Sequence, residues 1–392
     1  MDFLDKLVLP QSEHHMVLLK YLLVLTYLVF TLYAGSLLGS TLLSLVFKKK
    51  DEHGRRFSKE VIDLVTDNKY LPVAFGIVPL LSSAFCYAQL LHLSPVNVSG
   101  YILISIVFFV LSLYFIYTYK YSLKVEKIFD AALSSNNLAG YNDNTKQDLI
   151  SLKDKALHRK NKYGMYGIIF LIISLYIFFG AAQLAADTSR WGSVTSILGI
   201  VFSFGALTST VLFILFSLAL TSAGVLYFYF RPSIEEDEKQ NEFRNYLKKP
   251  VLNTGLVSLI ASAFLIIINL VAKPANSLSS LYFGLVALLL ILILLVGNLY
   301  YVMIKESSVK YSSSLLFIFV FIFLFSAIKE QSAFDTSTRD QFKLLSANYE
   351  EYHAKLLAES GIGIVQISGA DIYNGKCIAC HQFDKKIVGP PY

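Results

Sequence analysis

The chain is poor in charged residues and in cysteine, and both shortages restrict what it can be. Only 16% of its 392 residues are charged, whereas 55% are hydrophobic. Soluble globular domains carry about a quarter charged residues, so a soluble protein of this length is excluded. Three cysteines also leave no disulfide framework of the kind that stabilises small secreted domains. The sequence therefore predicts a membrane protein.

Eight apolar runs are long enough to cross a bilayer, which takes about 20 residues in an α-helix. They extend from Met16 to Phe47, Tyr70 to Leu93, Gly100 to Tyr119, Tyr163 to Ala186, Val194 to Phe230, Val251 to Val271, Leu278 to Ile304 and Ser313 to Ile328. The first and fifth runs are overlong, and we expect the fifth to be one unbroken helix. We expect the third and fourth helices to extend beyond the membrane around a polar turn at 134–137.

The distribution of lysine and arginine predicts how the chain is threaded. The loops that join alternate spans, 48–69, 120–162, 231–249 and 305–310, contain 23 of these residues. On the opposite side, only Lys6, Lys20, Arg190 and Lys273 precede the C-terminal tail. Cytoplasmic loops are enriched in Lys and Arg, so the N-terminus and the tail are both predicted to lie outside. Because the basic residues set topology, the net charge of +6 does not indicate nucleic-acid binding.

The tail carries a Cys-x-x-Cys-His motif, formed by Cys377, Cys380 and His381. Two thiols at this spacing can both reach the vinyl groups of one haem, and the adjacent imidazole can ligate the iron. A zinc site would need a second pair of ligands, but the remaining cysteine, Cys86, lies inside an apolar run. A redox dithiol of the thioredoxin type would need a βαβ setting, which this sequence lacks. The motif therefore indicates covalent attachment of one haem c.

The residues on either side of this motif extend the pattern, with 370–376 before it and Gly389-Pro390 after it. This segment resembles the start of a class I, monohaem cytochrome c domain. The resemblance implies that a short helix leads into the motif and that the Pro390 carbonyl accepts a hydrogen bond from His381, which orients the ring. The family takes its sixth ligand from a methionine further along, whereas every methionine here precedes the motif. We therefore expect the chain to contain a truncated form of the domain.

Histidine is scarce too, and its positions argue against an additional haem b within the bilayer. Such a haem is held by side chains alone, yet none of the seven histidines falls in the middle of a span. His14, His15 and His92 lie at the predicted outer rim, where they could form a shallow haem or quinone site or could be ordinary interfacial residues. The spans are also expected to lack the buried charged residues that mark an ion or proton path.

Between the last span and the motif, the sequence predicts an amphipathic helix from Thr336 to Ser360. Its apolar residues recur every three or four positions, at Phe342, Leu345, Tyr349, Tyr352 and Leu356. Ser337 is expected to cap this helix and Gly361 to end it, and 361–369 to link it to the motif. We expect the helix to lie on the membrane surface or on another subunit.

The predicted fold class is therefore all-α, in three parts. Residues 1–329 form a polytopic transmembrane bundle with an outside N-terminus. Residues 330–365 form an exported amphipathic helix and linker, and 366–392 form the first part of a cytochrome c domain. The protein is expected in the bacterial inner membrane, with the haem on the periplasmic side.

Two functions follow from these patterns. The first is a non-catalytic, membrane-anchored cytochrome that passes single electrons within a respiratory or photosynthetic complex, with other subunits and a soluble or membrane redox protein as partners. The second rests on the layout of the chain, which is similar to cytochrome c-carrying relatives of the large subunit of bd-type oxidases. A histidine near the outer start of their first span ligates a haem, which implies that role for His14 or His15. Their mid-chain histidine and methionine ligands and their membrane glutamates have no counterpart here.

Overall fold

In the computed structural model, the part of the chain described comprises residues 10–134, 143–194, 196–230, 238–360 and Tyr373. Throughout this part the regular structure is helical, and no strand occurs in it. Eight of the described helices are long and apolar enough to cross a membrane. The predicted all-α fold with eight candidate spans is confirmed at this level.

The helices follow one another without intervening domains. In chain order they are α1 (Glu13–Phe47), α2 (Glu52–Thr66), a π-helical turn (Pro72–Ile77) that runs directly into α3 (Val78–Leu90), α4 (Val98–Ser134), α5 (Asp143–Ala185), α6 (Leu198–Val201), α7 (Phe204–Tyr229), α8 (Glu238–Val271), α9 (Ser280–Lys305), α10 (Ser312–Ser337) and α11 (Arg339–Glu359). The candidate spans are α1, the π-helical turn with α3, α4, α5, α7, α8, α9 and α10.

The first span, α1, is central in the bundle, because it packs against α2, α3, α5, α7 and α10. Its residues Phe30, Ala34, Leu37 and Leu38 are all fully buried. Few lipid-exposed positions are therefore left on its second half, and the other spans are arranged around it.

A close approach of α1 to α7 depends on Gly39. A Cβ atom added there would lie 2.1 Å from Thr221 Oγ1 and 2.3 Å from the Ser217 carbonyl oxygen. Gly35 lies one turn earlier, so the two glycines form a small-xxx-small pattern on the face that meets α7. Small residues allow helix backbones to approach closely within a membrane, where burial against lipid gives little driving force.

Polar side chains inside the bundle bond between helices. The hydroxyl of Ser105 on α4 donates to the Ser174 carbonyl oxygen on α5 at 2.9 Å, and the Ser174 hydroxyl donates to the Ser105 carbonyl oxygen at 2.8 Å. On α9, the Tyr300 hydroxyl donates to the Ala219 carbonyl oxygen of α7 at 3.1 Å. Within a bilayer such groups must be satisfied by protein, and these bonds join neighbouring spans directly.

The fifth span is not the unbroken helix that we predicted from Val194 to Phe230. The short α6 ends at Val201, and the chain is extended at Ser203, with φ −82° and ψ 114°. The Ser203 hydroxyl then accepts a hydrogen bond from the Ala206 amide at 3.3 Å and caps α7. Serine is a favoured N-cap because it satisfies an amide that the helix leaves unbonded. One polar residue is thus enough to break a long apolar run.

The segment 48–69, predicted only as a basic loop, contains the amphipathic helix α2. Asp51 caps it by accepting a hydrogen bond from the Gly54 amide at 3.0 Å. Phe57, Val61 and Ile62 are fully buried on one face. This burial holds α2 against the bundle, as expected for a helix with one apolar face.

The predicted extensions of the third and fourth spans are confirmed. Helix α4 continues to Ser134 and α5 begins at Asp143, whereas the turn predicted between them lies mostly outside the described residues. These extensions lie at the same end of the bundle as α2, because Lys48 Nζ donates to the Lys160 carbonyl oxygen at 3.4 Å.

The start of α1 and the tail helix α11 lie at the opposite end of the bundle. Lys20 Nζ of α1 is 3.2 Å from Asp335 Oδ1 at the end of α10, two residues before α10 finishes. An even number of spans brings both chain segments to one side. The side of the membrane on which this end lies stays a prediction.

Candidate functional site

The predicted haem-binding residues, Cys377, Cys380, His381 and Pro390, lie outside the described residues, as does Gly361. The structure describes the part of the chain that precedes these residues. It consists of α11 and the surrounding end of the bundle, and its geometry sets where the chain leaves the bundle.

The three rim histidines lie at this same end. His14 and His15 are exposed on the first turn of α1, where Ser12 caps the helix by accepting a hydrogen bond from the His15 amide at 3.3 Å. His92 follows α3 and is partly buried, and its carbonyl oxygen accepts a hydrogen bond from Gln341 Nε2 at 2.5 Å. Within the described ranges, no three His, Cys, Asp or Glu side chains come together as a metal site.

The first two turns of α11 are fixed to the bundle by Phe342 and Leu345. The Phe342 ring packs edge-on against Phe334 of α10, with ring centroids 5.7 Å apart, and Lys20 Nζ lies 3.6 Å from the centre of the same ring. Leu345 is 2% exposed. An ammonium over an aromatic face adds an attraction to the apolar contact. Together with the bond from Gln341, these contacts set the direction in which α11 leaves the membrane helices.

Beyond Leu345 the tail helix is exposed. Of the predicted apolar stripe, Tyr352 is 41% and Leu356 is 43% exposed, whereas Tyr349 is partly buried, so burial decreases along the helix. Tyr349 stacks on His353 with ring centroids 5.6 Å apart, which places this histidine on the helix surface.

The polar side of the tail helix carries local charge pairs. Lys355 Nζ lies 2.7 Å from Glu351 Oε1, and this hydrogen bond lowers the pKa of the Glu351 carboxyl. Exposed pairs one turn apart contribute little to stability, so they leave the far end of α11 held mainly by its own backbone bonds.

The predicted cap of α11 is wrong. Ser337 is the last residue of α10, and its hydroxyl donates to the Phe334 carbonyl oxygen at 3.1 Å rather than accepting from a following amide. The residue between α10 and α11 is Thr338, which is fully buried and donates to the same carbonyl. The two helices are therefore joined by one residue that is bonded back to α10, so the start of α11 is tied to the last span.

A buried cluster of charged residues lies close to the start of α11. It corrects the expectation that the spans lack buried charged residues. Lys329 and Glu330 lie within α10, and Lys273 follows α8. Glu330 Oε2 is 2.5 Å from Lys273 Nζ, and Glu330 Oε1 is 2.9 Å from Lys329 Nζ. The lysine side chains are only 2% and 4% exposed. One carboxylate thus holds two ammonium groups that would be costly to bury alone.

This cluster joins three helices near the end of the bundle from which α11 leaves. Lys329 Nζ lies 5.6 Å from the centre of the Tyr282 ring on α9, while Lys273 connects the end of α8 to α10. The two adjacent charges in the sequence directly follow the apolar run that ends at Ile328. Their position directly after that run was the signal in the sequence that could have identified them. A search for apolar runs stops at the first charged residue, so it excluded Lys329 and Glu330 from the predicted span.

The end of the bundle is therefore a fixed support that carries one projecting helix. The hydrogen-bonding and charged groups described at this end contact other parts of the same chain. We compared the chain with family models, with curated proteins and with solved structures, and none of them matches it.

Proposed function

We propose that this chain is a membrane-anchored c-type cytochrome that passes single electrons on the outer face of a bacterial inner membrane, as a subunit of a respiratory or photosynthetic complex. The proposal depends on one observation, the spacing of Cys377, Cys380 and His381 in the sequence. The membrane bundle supports it by ending in a helix that leads toward this motif.

The donor set suits a covalently bound haem. Each thiol would add across one vinyl group, so that a carbon–sulfur bond forms and the thiol proton goes to the neighbouring carbon, with no net oxidation. The His381 imidazole is a common axial ligand, and the Pro390 carbonyl oxygen would accept a hydrogen bond from its other ring N–H and fix its orientation. When bound, the haem supplies reversible one-electron transfer between its ferrous and ferric states.

The mode of anchoring favours electron transfer to a fixed partner. The first turns of α11 are held by Phe342 and Leu345, whereas its last turns are exposed. A redox group that follows such a helix is confined near the membrane surface, which raises its effective concentration at a partner in the same membrane. Neighbouring subunits, or a carrier that docks on the complex, are therefore the favoured donor and acceptor.

The haem proposal is tested by spectroscopy and by a haem stain of the full-length chain on a denaturing gel. The wild type should carry one covalent haem with a c-type pyridine haemochrome spectrum. A Cys377→Ser and Cys380→Ser double variant should lose the stain. A Cys86→Ser variant, which changes the buried thiol of α3, is the matched control and should keep it.

Three free thiols in the wild-type chain, with no covalent porphyrin, would refute the proposal. Additional non-covalent haem b or d in the same spectrum would instead favour an oxidoreductase subunit with membrane haems. The single spectrum therefore separates the two functions that the sequence suggested.

The predicted topology is tested by two exposed positions at opposite ends of the bundle. The Asp67 and Lys343 side chains are 81% and 78% exposed. In a Cys86→Ser background, a membrane-impermeant maleimide should label a Lys343→Cys variant in spheroplasts and an Asp67→Cys variant only after permeabilisation. The reverse pattern would place the motif in the cytoplasm and contradict the proposal.

A further inference from the structure

Helix α9 has a long exposed face. It packs against α8 and α10, and it is the least buried of the eight candidate spans. Five residues of this face are exposed and recur at spacings of four and three, namely Ala287, Ile291, Leu294, Asn298 and Tyr301. A stripe with this repeat can meet a second helix along its whole length at a small left-handed crossing angle.

Asn298 is the polar member of this otherwise apolar stripe. It lies within the apolar run from Leu278 to Ile304, and its side chain is exposed. Among the residues that the structure describes, none forms a hydrogen bond with its amide. A primary amide has two N–H donors and a carbonyl acceptor, and the hydrocarbon of a bilayer holds no water to bond with them.

The depth of Asn298 follows from two helices. From Asn298 to Lys305, the last residue of α9, the helix rises about 10 Å. A Cβ atom added at Gly297 would lie 3.7 Å from Leu259 Cδ2, so Leu259 of α8 lies at the same level. From Leu259 to Lys249, α8 rises about 15 Å. The Asn298 amide is therefore well below the level of these lysines and lies in hydrocarbon.

Asn253 of α8 shows the contrast. It is also exposed, but only about 6 Å of helix separates it from Lys249, so lipid head groups and water can reach its amide. Asn298 has no such access. A hydrogen-bonding partner for Asn298 has to come from another helix within the membrane.

A second copy of the chain supplies a matching group. Copies that are inserted in the same direction can pair α9 with α9 about a twofold axis along the membrane normal, which brings equivalent residues together. Each Asn298 amide can then donate to the carbonyl oxygen of its counterpart and accept from its N–H, because a primary amide carries both groups. A single asparagine in such a seam also fixes the register and the number of helices.

We propose that the chain forms a parallel dimer in the membrane, in which the stripe from Ala287 to Tyr301 packs against the same stripe of a second copy. The two Asn298 amides hydrogen bond across the twofold axis. Ile291 and Leu294, which are 62% and 71% exposed in the single chain, become buried. The dimer presents both α11 helices on one side of the membrane, and it does not depend on the proposed haem.

The test measures dimerisation in a lipid bilayer. The full-length chain would carry one fluorophore at its N-terminus and would be reconstituted in vesicles of phosphatidylethanolamine and phosphatidylglycerol, where photobleaching steps are counted as the protein density is lowered. Asn298→Leu removes the amide at a lipid-exposed position, so the fold of the single chain should be kept. Asn253→Leu makes the same chemical change outside the stripe and is the matched control.

The wild type should bleach in two steps at high density and in one step after dilution. Asn298→Leu should raise the apparent dissociation constant about tenfold, the effect expected of two interhelical hydrogen bonds of average strength in a membrane. Asn253→Leu should leave it unchanged, and Asn298→Gln, which keeps an amide, should stay within about threefold of the wild type. One-step bleaching of the wild type at every density, or equal shifts in both leucine variants, would overturn the proposal.

Photo-crosslinking identifies the partner in native membranes. A benzoylphenylalanine in place of Leu294 should form an adduct with the α9 peptide of a second copy. The same group in place of Ile260, which is 52% exposed on α8, should not form this adduct. Crosslinking at Leu294 to a different membrane protein, or to lipid alone, would contradict the dimer.

Discussion

Replacing Glu330 by glutamine should destabilise the bundle strongly, because it removes the only carboxylate within 4 Å of Lys273 Nζ and Lys329 Nζ among the described residues. Both lysines are almost fully buried, so without the carboxylate each would either keep an unpaired buried charge or lose its proton. Breaking a buried ion pair costs about 3–5 kcal/mol. The Glu330 side chain keeps 19% exposure, so we expect the lower end of that range. A loss of about 3 kcal/mol changes the unfolding equilibrium about a hundredfold.

The assay is reversible unfolding of the purified chain in mixed micelles of a mild detergent and sodium dodecyl sulfate. Glu351→Gln is the matched control, because it makes the same chemical change in an exposed pair at 2.7 Å. The control should show no measurable loss, as is common for surface ion pairs. Equal stability of the Glu330→Gln variant and the control would refute the claim that this cluster is a buried, mutually dependent unit.

A second set of variants separates charge from shape. Replacing both lysines by methionine in the Glu330→Gln background should recover most of the lost stability, since apolar groups of similar size can substitute for a buried ion pair. If stability fell further instead, the hydrogen bonds of the cluster, rather than its buried charge, would be responsible for its effect.

Three further outcomes are expected. Gly39→Ala should cost about 1–3 kcal/mol, because the new methyl group collides with α7. Gly284→Ala on α9, where an added Cβ atom meets nothing within 4 Å, should be neutral or stabilising by about 0.5–1 kcal/mol in the same unfolding assay. A double-mutant cycle over Ser105→Ala and Ser174→Ala should give a coupling energy of about 0.6 kcal/mol, the average for such bonds in membranes. Phe342→Ala should loosen the first turns of α11 and raise the rate of trypsin cleavage within that helix.

Each of these outcomes has its own control. Leu356→Ala changes an exposed residue of α11 and should leave the cleavage rate unchanged. A coupling energy of zero between the two serines would show that their reciprocal hydrogen bonds contribute nothing. Equal effects of alanine at Gly39 and Gly284 would mean that the absence of a side chain at Gly39 does not set the spacing between α1 and α7.

The number of spans could be predicted from the sequence, because eight runs of about 20 apolar residues are a direct consequence of bilayer thickness. The ends of the helices could not. Apolar runs do not show where a residue such as Ser203 breaks the backbone, and charges such as Lys329 and Glu330 end a run although the helix continues. Burial against partners on other helices allows those charges, and that pairing is invisible in a linear sequence.

The two parts of the site differ in how far they could be predicted. Covalent haem attachment is a local chemical pattern, so it was predicted from Cys377, Cys380 and His381 alone. The helix α2 could have been found from the spacing of Phe57, Val61 and Ile62. The apolar cavity between α1, α2, α7, α10 and the π-helical turn could not, because it arises where five separate elements meet and depends on side-chain volumes that are far apart in the chain.

The π-helical turn at Pro72–Ile77 has a consequence for how this span can vary. The Val78 amide bonds to the Val73 carbonyl, five residues back, so the turn holds one residue more than an α-helical turn. Deleting a single residue there would restore a plain α-helical turn and leave the residues up to Leu90 facing as they do now, because the wider turn absorbs the extra residue. Homologous chains that lack this offset should carry a one-position gap here and keep the same inward and outward residues along the rest of the span.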